Sequence, residues 1–431
     1  MSLRFSQWHK LPINLSELCI NTVLRCGQSF RWQQLPDTGE WRCVLYGRLI
    51  SLKQDPSYLY YRTALPNSQT QTTALPTPPA STVISRSESE SATPDRDHAD
   101  DTDSDVLPII KHYFALSVNL TELYSQWSSA DPNFKKKAPK FTGIRILRQD
   151  AWETLICFIC SSNNNIARIS QMVEKLCVNF GKKIGTVDGR AYHDFPTPEA
   201  LTGDNVETRL RELGFGYRAK FIHQTAVTVA KEREPGWLYT LENPESPAFG
   251  VDPAPGEEMC FQGREGYRRA HEKLLELQGV GPKVADCVCL MGLGWSEAVP
   301  VDTHVWQIAQ RDYKFGKDRN KSLTKATYDA LGNYFRQVWG KEAGWAHSVL
   351  FTADLRAFSE KHTTKVEVEL KEEKDRSGQI KSKVSTVTAK RVLEEDDKDA
   401  ARETKTVKKE ESVVQTVETR VTRRRSSRFQ K

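Results

Sequence analysis

The spacing of apolar positions changes its period once along the chain. Up to about residue 63 the apolar residues fall in short runs rich in aromatic and β-branched side chains, such as Trp41-Arg42-Cys43-Val44-Leu45-Tyr46 and Tyr58-Leu59-Tyr60-Tyr61. Turn residues separate the runs, so they predict a small antiparallel sheet. From Val106 the spacing becomes helical, first in IIKHYFALS and LTELYSQWSS and then in amphipathic segments that continue to Phe358. The fold class is therefore α+β, an N-terminal antiparallel β domain followed by a mainly α-helical core. Residues 64–105 are rich in Ser, Thr, Pro and Asp and poor in large apolar residues, which predicts a disordered acidic loop. Beyond residue 361 alternating charges and scarce aromatics predict a disordered tail. The expected division is 1–135 for the β domain with its loop, 136–360 for the helical domain and 361–431 for the tail.

One stretch of the helical part carries chemistry. Tyr267–Leu277 reads as a short amphipathic helix, broken by Gln278-Gly279-Val280-Gly281, and Pro282 opens a second helix from Lys283 to about Leu293. Gly279 suits a C-terminal cap. The glycines of such a hairpin allow a nucleic-acid backbone to come close, and amides at the second helix can donate to a phosphate. Lys283 stands at that helix start, where the dipole disfavours a further positive charge and should lower its pKa, as an amine nucleophile requires. About twenty residues on, Pro300 gives a rigid entry to Asp302, a natural helix cap whose carboxylate could handle charge or a proton. Taken singly, the lysine is an ordinary helix-start residue and the aspartate an ordinary cap. Glycine hairpins also occur in modules that bind DNA without chemistry.

Charge sharpens this picture modestly. The net charge is +6 over 431 residues, and residues 361–431 hold 20 Lys and Arg against 14 Asp and Glu. Residues 81–105 hold two Arg and eight acids, so the remainder is a basic body beside an acidic loop, compatible with phosphate binding. The terminal RRRSSRFQK serves equally well as a nuclear-import or nucleic-acid patch and as a solvated tail. No segment has the length and apolarity of a membrane span, and MSLRFSQWHK has no secretory apolar core, which predicts a soluble intracellular protein. Nine cysteines without a disulfide framework fit a reducing compartment, and Cys157 and Cys160 read as core thiols.

Hairpin, lysine, proline-bearing turn and aspartate in this order resemble the helix-hairpin-helix DNA glycosylase superfamily. GVGPKVADCVCLM and AVPVDTHVWQIAQRDY are closer still to the 8-oxoguanine DNA glycosylases of eukaryotes. The resemblance covers about 1–63 and 106–358 and implies a β domain packed on two helical domains with the active site in the cleft between. It implies a catalytic pair, Lys283 and Asp302, and a bifunctional glycosylase and lyase that removes 8-oxoguanine opposite cytosine, and formamidopyrimidine, through a lysine Schiff base. Cys26-Gly27-Gln28-Ser29-Phe30-Arg31-Trp32 looks like the family's GQSFRW element, in which the glycine carbonyl, here that of Gly27, accepts from the N7 hydrogen of the lesion. The resemblance further implies a base pocket of Gly27, Cys287, Pro300, Asp302, His347 and Phe351, with Phe351 stacked on the purine and Cys287 on its other side. In Ser161-Ser162-Asn163-Asn164-Asn165-Ile166-Ala167-Arg168, Asn163 would fill the gap left by the flipped base. Arg168 and Arg218 would hold the widowed cytosine, and Tyr217 would wedge beside it. Gly279, Gly281 and His304 would contact the DNA backbone. His347 departs from the family pattern, which has glutamine there, and puts strictness for 8-oxoguanine in doubt. Some relatives carry an iron–sulfur cluster on cysteines after the catalytic aspartate, but no cysteine here follows Cys289. No catalytic metal or organic cofactor is implied; a structural monovalent cation on carbonyls around Leu275, Leu277 and Val280 is compatible. The expected partner is double-stranded DNA containing oxidised guanine, with no membrane, a monomeric state and a nuclear location alongside a mitochondrial share. The competing readings are a non-catalytic DNA-binding module and a glycosylase for another lesion.

Overall fold

The computed structural model describes residues 2–66, 106–316, 323–355 and 358. The tail at 361–431 and most of the acidic loop lie outside them. The N-terminal strands are β1 (Leu3–Phe5), β2 (His9–Pro12), β3 (Gln33–Gln34), β4 (Trp41–Leu45), β5 (Arg48–Gln54) and β6 (Tyr58–Pro66), with a short helix α1 (Ile20–Val23) after β2. They form one antiparallel sheet in the order β1-β6-β5-β4-β3, with β2 also paired to β6. The strand β6 continues to Pro66, so the predicted loop start at residue 64 is three residues early. Leu65 pairs with Arg4 and Ala64 with Leu49, and this ladder holds the chain extended.

The period of two sorts the strand residues to opposite faces. Trp41, Cys43, Leu45, Ile50, Leu52, Leu59 and Tyr61 enter one core, closed by α2 (Val106–Tyr113) through Val106, Ile109, Ile110 and Tyr113. Leu3, Val44, Leu49 and Ala64 face the other way, against Val187 and Tyr192. The last two belong to strands β7 (Lys183–Val187) and β8 (Arg190–His193), which the helical spacing did not predict. The signal was present: Asp188-Gly189 between two short apolar runs is a two-residue hairpin turn, and both residues have positive φ, 51° and 77°.

The helices follow as α3 (Leu120–Ala130), α4 (Pro132–Lys137), α5 (Ala151–Ile159), α6 (Ile166–Phe180), α7 (Val206–Glu212), α8 (Arg218–Val227), α9 (Glu265–Leu275), α10 (Pro282–Cys287), α11 (Thr303–Asp312), α12 (Lys325–Trp339) and α13 (Ala343–Asp354). Their apolar stripes meet in one core that includes Leu155, Ile159, Val284, Val288, Leu331 and Val349. α5 is central and buried on nearly every side. α9 and α10 are the predicted pair, each shifted: the first starts two residues earlier and ends at Leu275. The second ends at Cys287, and Val288–Gly292 continues it as a wider π turn rather than as α-helix to Leu293. No helix of the described residues is long and apolar enough to cross a membrane.

Buried ion pairs join the sheet to the helices. Arg31 donates to Glu153 at 2.6 Å and to Asp194 at 3.3 Å. Gln28 donates to the Arg145 carbonyl and accepts from the Leu147 amide, while Gln149 donates to the Gln28 carbonyl. The charged and amide side chains of the segment that follows Gly27 are thus occupied in joining the two parts.

Candidate active site

α9 is capped by Glu276 rather than by Gly279, which lies three residues on in the turn to α10 with φ +76°, where a Cβ would stand 2.7 Å from the Phe221 side chain. Only glycine meets both conditions. Gly281 differs: its φ is −99° and nothing lies within 4 Å of where a Cβ would be. Pro282 occupies the first turn of α10, which points Lys283 across to α5. The half-buried lysine donates to Ser161 Oγ at 3.4 Å, and its Nζ lies 4.7 Å from the centre of the Phe158 ring. Asp302 caps α11, accepting from the Val305 amide at 2.9 Å.

One cleft gathers all the residues predicted as catalytic or base-contacting. Gly27, Phe158, Lys283, Cys287, Leu290, Met291, Pro300, Asp302, His347 and Phe351 line one pocket, open to solvent at its mouth. A larger cleft lined by Trp152, Trp237 and Tyr239 contains no predicted site residue. The chemistry points to the smaller one, which a lysine and an aspartate both line. Gly27 has φ +87°, a backbone conformation that side chains rarely adopt, and a Cβ would press on Ile166 at 3.1 Å. On α13, Gly344 lets the helix approach so closely that a Cβ would sit 2.2 Å from the Ala298 carbonyl oxygen. That approach sets the pocket wall beside Pro300. The wall carries His347 and Phe351 with rings near parallel at 6.4 Å, and His304 meets Phe351 edge-on.

His347 is buried with neither ring nitrogen hydrogen-bonded within the protein. Burial pulls its pKa down to about 4, so at neutral pH the ring offers one donor and one acceptor. Burial pushes the Cys287 thiol up to about 12, which keeps it uncharged beside the lysine.

The predicted duplex-contacting residues form a second group. Asn163 is exposed with φ +48°, whereas Asn164 donates to the Cys160 carbonyl and Asn165 caps α6. Tyr217 donates to the Ser162 carbonyl at 3.0 Å. Arg218, expected to face an orphaned cytosine, is buried: it donates to the Ser162 and Asn163 carbonyls and stacks on Tyr217 at 4.6 Å. Arg168 and His304 are exposed. Spacing alone did not reveal Phe158 and Ser161, which look like a core aromatic and a helix-end serine. At the hairpin the Leu277 carbonyl accepts from the Val280 amide, while those of Leu275 and Val280 accept no backbone hydrogen bond outside the helices. That donor set fits a hard monovalent cation. The described residues contain no cluster of three or more His, Cys, Asp or Glu side chains that could hold a metal.

Residues 10–155 match the model of the 8-oxoguanine DNA glycosylase N-terminal domain, and residues 156–332 match the HhH-GPD superfamily of base excision DNA repair proteins. An N-glycosylase/DNA lyase of Saccharomyces cerevisiae is 39% identical over 383 residues, covering 84% of this chain and 90% of its own length. An N-glycosylase/DNA lyase of Arabidopsis thaliana is 33% identical, covering 81% of each chain. The fold is shared with the Clostridium acetobutylicum 8-oxoguanine glycosylase/lyase, solved in complex with double-stranded DNA containing cytosine opposite 8-oxoguanine. That structure has a TM-score of 0.58 and 22% identity, covering 81% of this chain and 97% of that one.

Proposed function

Because the chain belongs to the 8-oxoguanine DNA glycosylase family of the HhH-GPD superfamily, as an N-glycosylase/DNA lyase, we propose that it excises 8-oxoguanine paired with cytosine, and formamidopyrimidine, through an imine on Lys283. The observation that carries this reading is the shared pocket of Lys283, Cys287, Asp302, His347 and Phe351. An amine nucleophile, a carboxylate and a stacking ring with an uncommitted hydrogen-bonding imidazole are what excision of an extruded purine needs.

Duplex DNA is gripped at the hairpin through Gly279 and Gly281, with His304 on a phosphate, and positioned without base reading. The damaged base is drawn into the pocket and held between Phe351 and Cys287, its edge read by the Gly27 carbonyl and His347. Asn163 and Tyr217 occupy the gap, and Arg168 and Arg218 hold the cytosine; for Arg218 this means exchanging the Ser162 and Asn163 carbonyls for the base. The Lys283 amine attacks C1′ while the glycosidic bond breaks and its electron pair leaves with the base. Asp302 stabilises the positive charge developing on the sugar. Opening of the C1′–O4′ bond gives the imine. Loss of a C2′ proton then forms a C2′–C3′ double bond and expels the 3′ phosphate. The Leu275, Leu277 and Val280 carbonyls would hold a monovalent cation, with a structural role. The proposed setting is the nucleus with a mitochondrial share, and the working unit is a monomer.

Borohydride trapping on a duplex with one 8-oxoguanine opposite cytosine tests this. Wild type gives a covalent adduct, Lys283→Gln gives none while still binding, and Asp302→Asn traps at least 100-fold more slowly, the scale of a lost transition-state charge contact. Tight binding without a wild-type adduct would remove the lysine from the chemistry.

A further inference from the structure

No motif assigns work to Phe158 or Ser161, yet these side chains touch the Lys283 amine. Ser161 Oγ donates its proton to the Phe158 carbonyl at 2.7 Å, so towards Lys283 it can only accept. The 3.4 Å separation is long, as catalytic hydrogen bonds often are before substrate binds. The Phe158 ring, 4.7 Å away, presents its electron-rich face to a second N–H. The ring is itself braced edge-on by Phe30 at 5.6 Å, from the segment that carries Gly27. Among the described residues no carboxylate lies within ion-pair distance of the lysine.

We infer that Ser161 and Phe158 are positioning residues that seat the Lys283 amine for attack, with Phe30 as their brace. The inference rests on Lys283 being the nucleophile. A neutral amine has two N–H bonds and one lone pair. When a hydroxyl oxygen and a ring face take the two N–H bonds, the lone pair is left for the third direction, the cleft shared with Asp302 and His347. Without the seat, the end of a flexible four-carbon chain must find that orientation at each turnover. Phe30 also ties the seat to the segment proposed to read the lesion, so a shift of the Gly27 loop would be felt at the nucleophile.

The test is single-turnover borohydride trapping with the full chain, comparing wild type with Ser161→Ala, Ser161→Thr and Phe158→Leu, alongside duplex affinity. Ser161→Ala should lower the maximal trapping rate about tenfold, a modest orientational loss, with the Kd for lesion duplex unchanged and the effect in kcat rather than KM. Ser161→Thr, which keeps the hydroxyl, should recover most of the rate, and Phe158→Leu should slow it by a similar factor. Wild-type trapping by Ser161→Ala, or a threonine variant as slow as the alanine one, overturns the seat while leaving the lysine chemistry standing. A wild type that traps nothing overturns the lysine reading itself. Should Phe158→Leu fail to fold, the serine pair still decides.

Discussion

His347 enters the pocket with both ring nitrogens buried and unpaired, an arrangement that costs stability unless a ligand supplies the partners. That cost is the physical reason to place it in recognition. His347→Gln, which restores an amide with a different donor pattern, should change the ratio of excision rates on 8-oxoguanine and formamidopyrimidine; an unaltered ratio would take the ring out of lesion reading. The same burial has a pH signature. The folded protein holds His347 at about 4 against an ordinary 6.5, so the unfolded chain binds the extra proton. The stability associated with the neutral ring is complete above pH 6.5 and is lost as pH falls towards 4, about 3 kcal/mol by proton linkage. Urea unfolding at pH 7 and pH 4 should show His347→Gln gaining on wild type by roughly that amount at the lower pH; parallel losses in both would contradict it. Lys283 and Asp302 were legible because their neighbours repeat a family's pattern. The burial of His347 was not, since it depends on α13 closing over residues distant in sequence.

Among the elements, the hairpin separates two glycines that look alike in sequence. Gly279 has positive φ and the Phe221 ring against it, so Gly279→Ala should destabilise the fold by about 1–3 kcal/mol through strain and overpacking. Gly281 has ordinary backbone and open space, so Gly281→Ala should leave the melting temperature within error yet weaken duplex binding if the DNA backbone passes there. Undiminished affinity in that variant would remove Gly281 from the interface. Helix spacing located both ends of α9 and the start of α10 to within two residues, but it carried α10 six residues too far, because the π turn after Cys287 gave no sign. It is set by packing, since Val288–Gly292 is buried throughout and faces α5. The β7–β8 hairpin was missed for the opposite reason: its Asp-Gly turn was readable, but helical runs on both sides outweighed it.

For the molecule as a whole, the joint between sheet and helices is polar and buried. Arg31 has a guanidinium only 6% exposed, facing Glu153 and Asp194. Removing one partner of such a pair leaves an uncompensated buried charge, so Arg31→Met should cost about 3–5 kcal/mol. Calorimetry should show the described parts melting in one transition; two well-separated transitions would mean that the joint does not couple them. None of these pairings was evident from the sequence, where Arg31 is one basic residue among 62 Lys and Arg. The two-stranded hairpin adds a consequence in time. Leu3, Val44, Leu49 and Ala64 are covered by Val187 and Tyr192, more than 120 residues further along the chain. At ribosomal elongation rates that cover arrives on the order of ten seconds after the last strand of the sheet has been made. During that interval the nascent sheet presents an apolar face to the cytosol, so the first domain should depend on chaperones until the chain has been translated past His193 and β8 can dock.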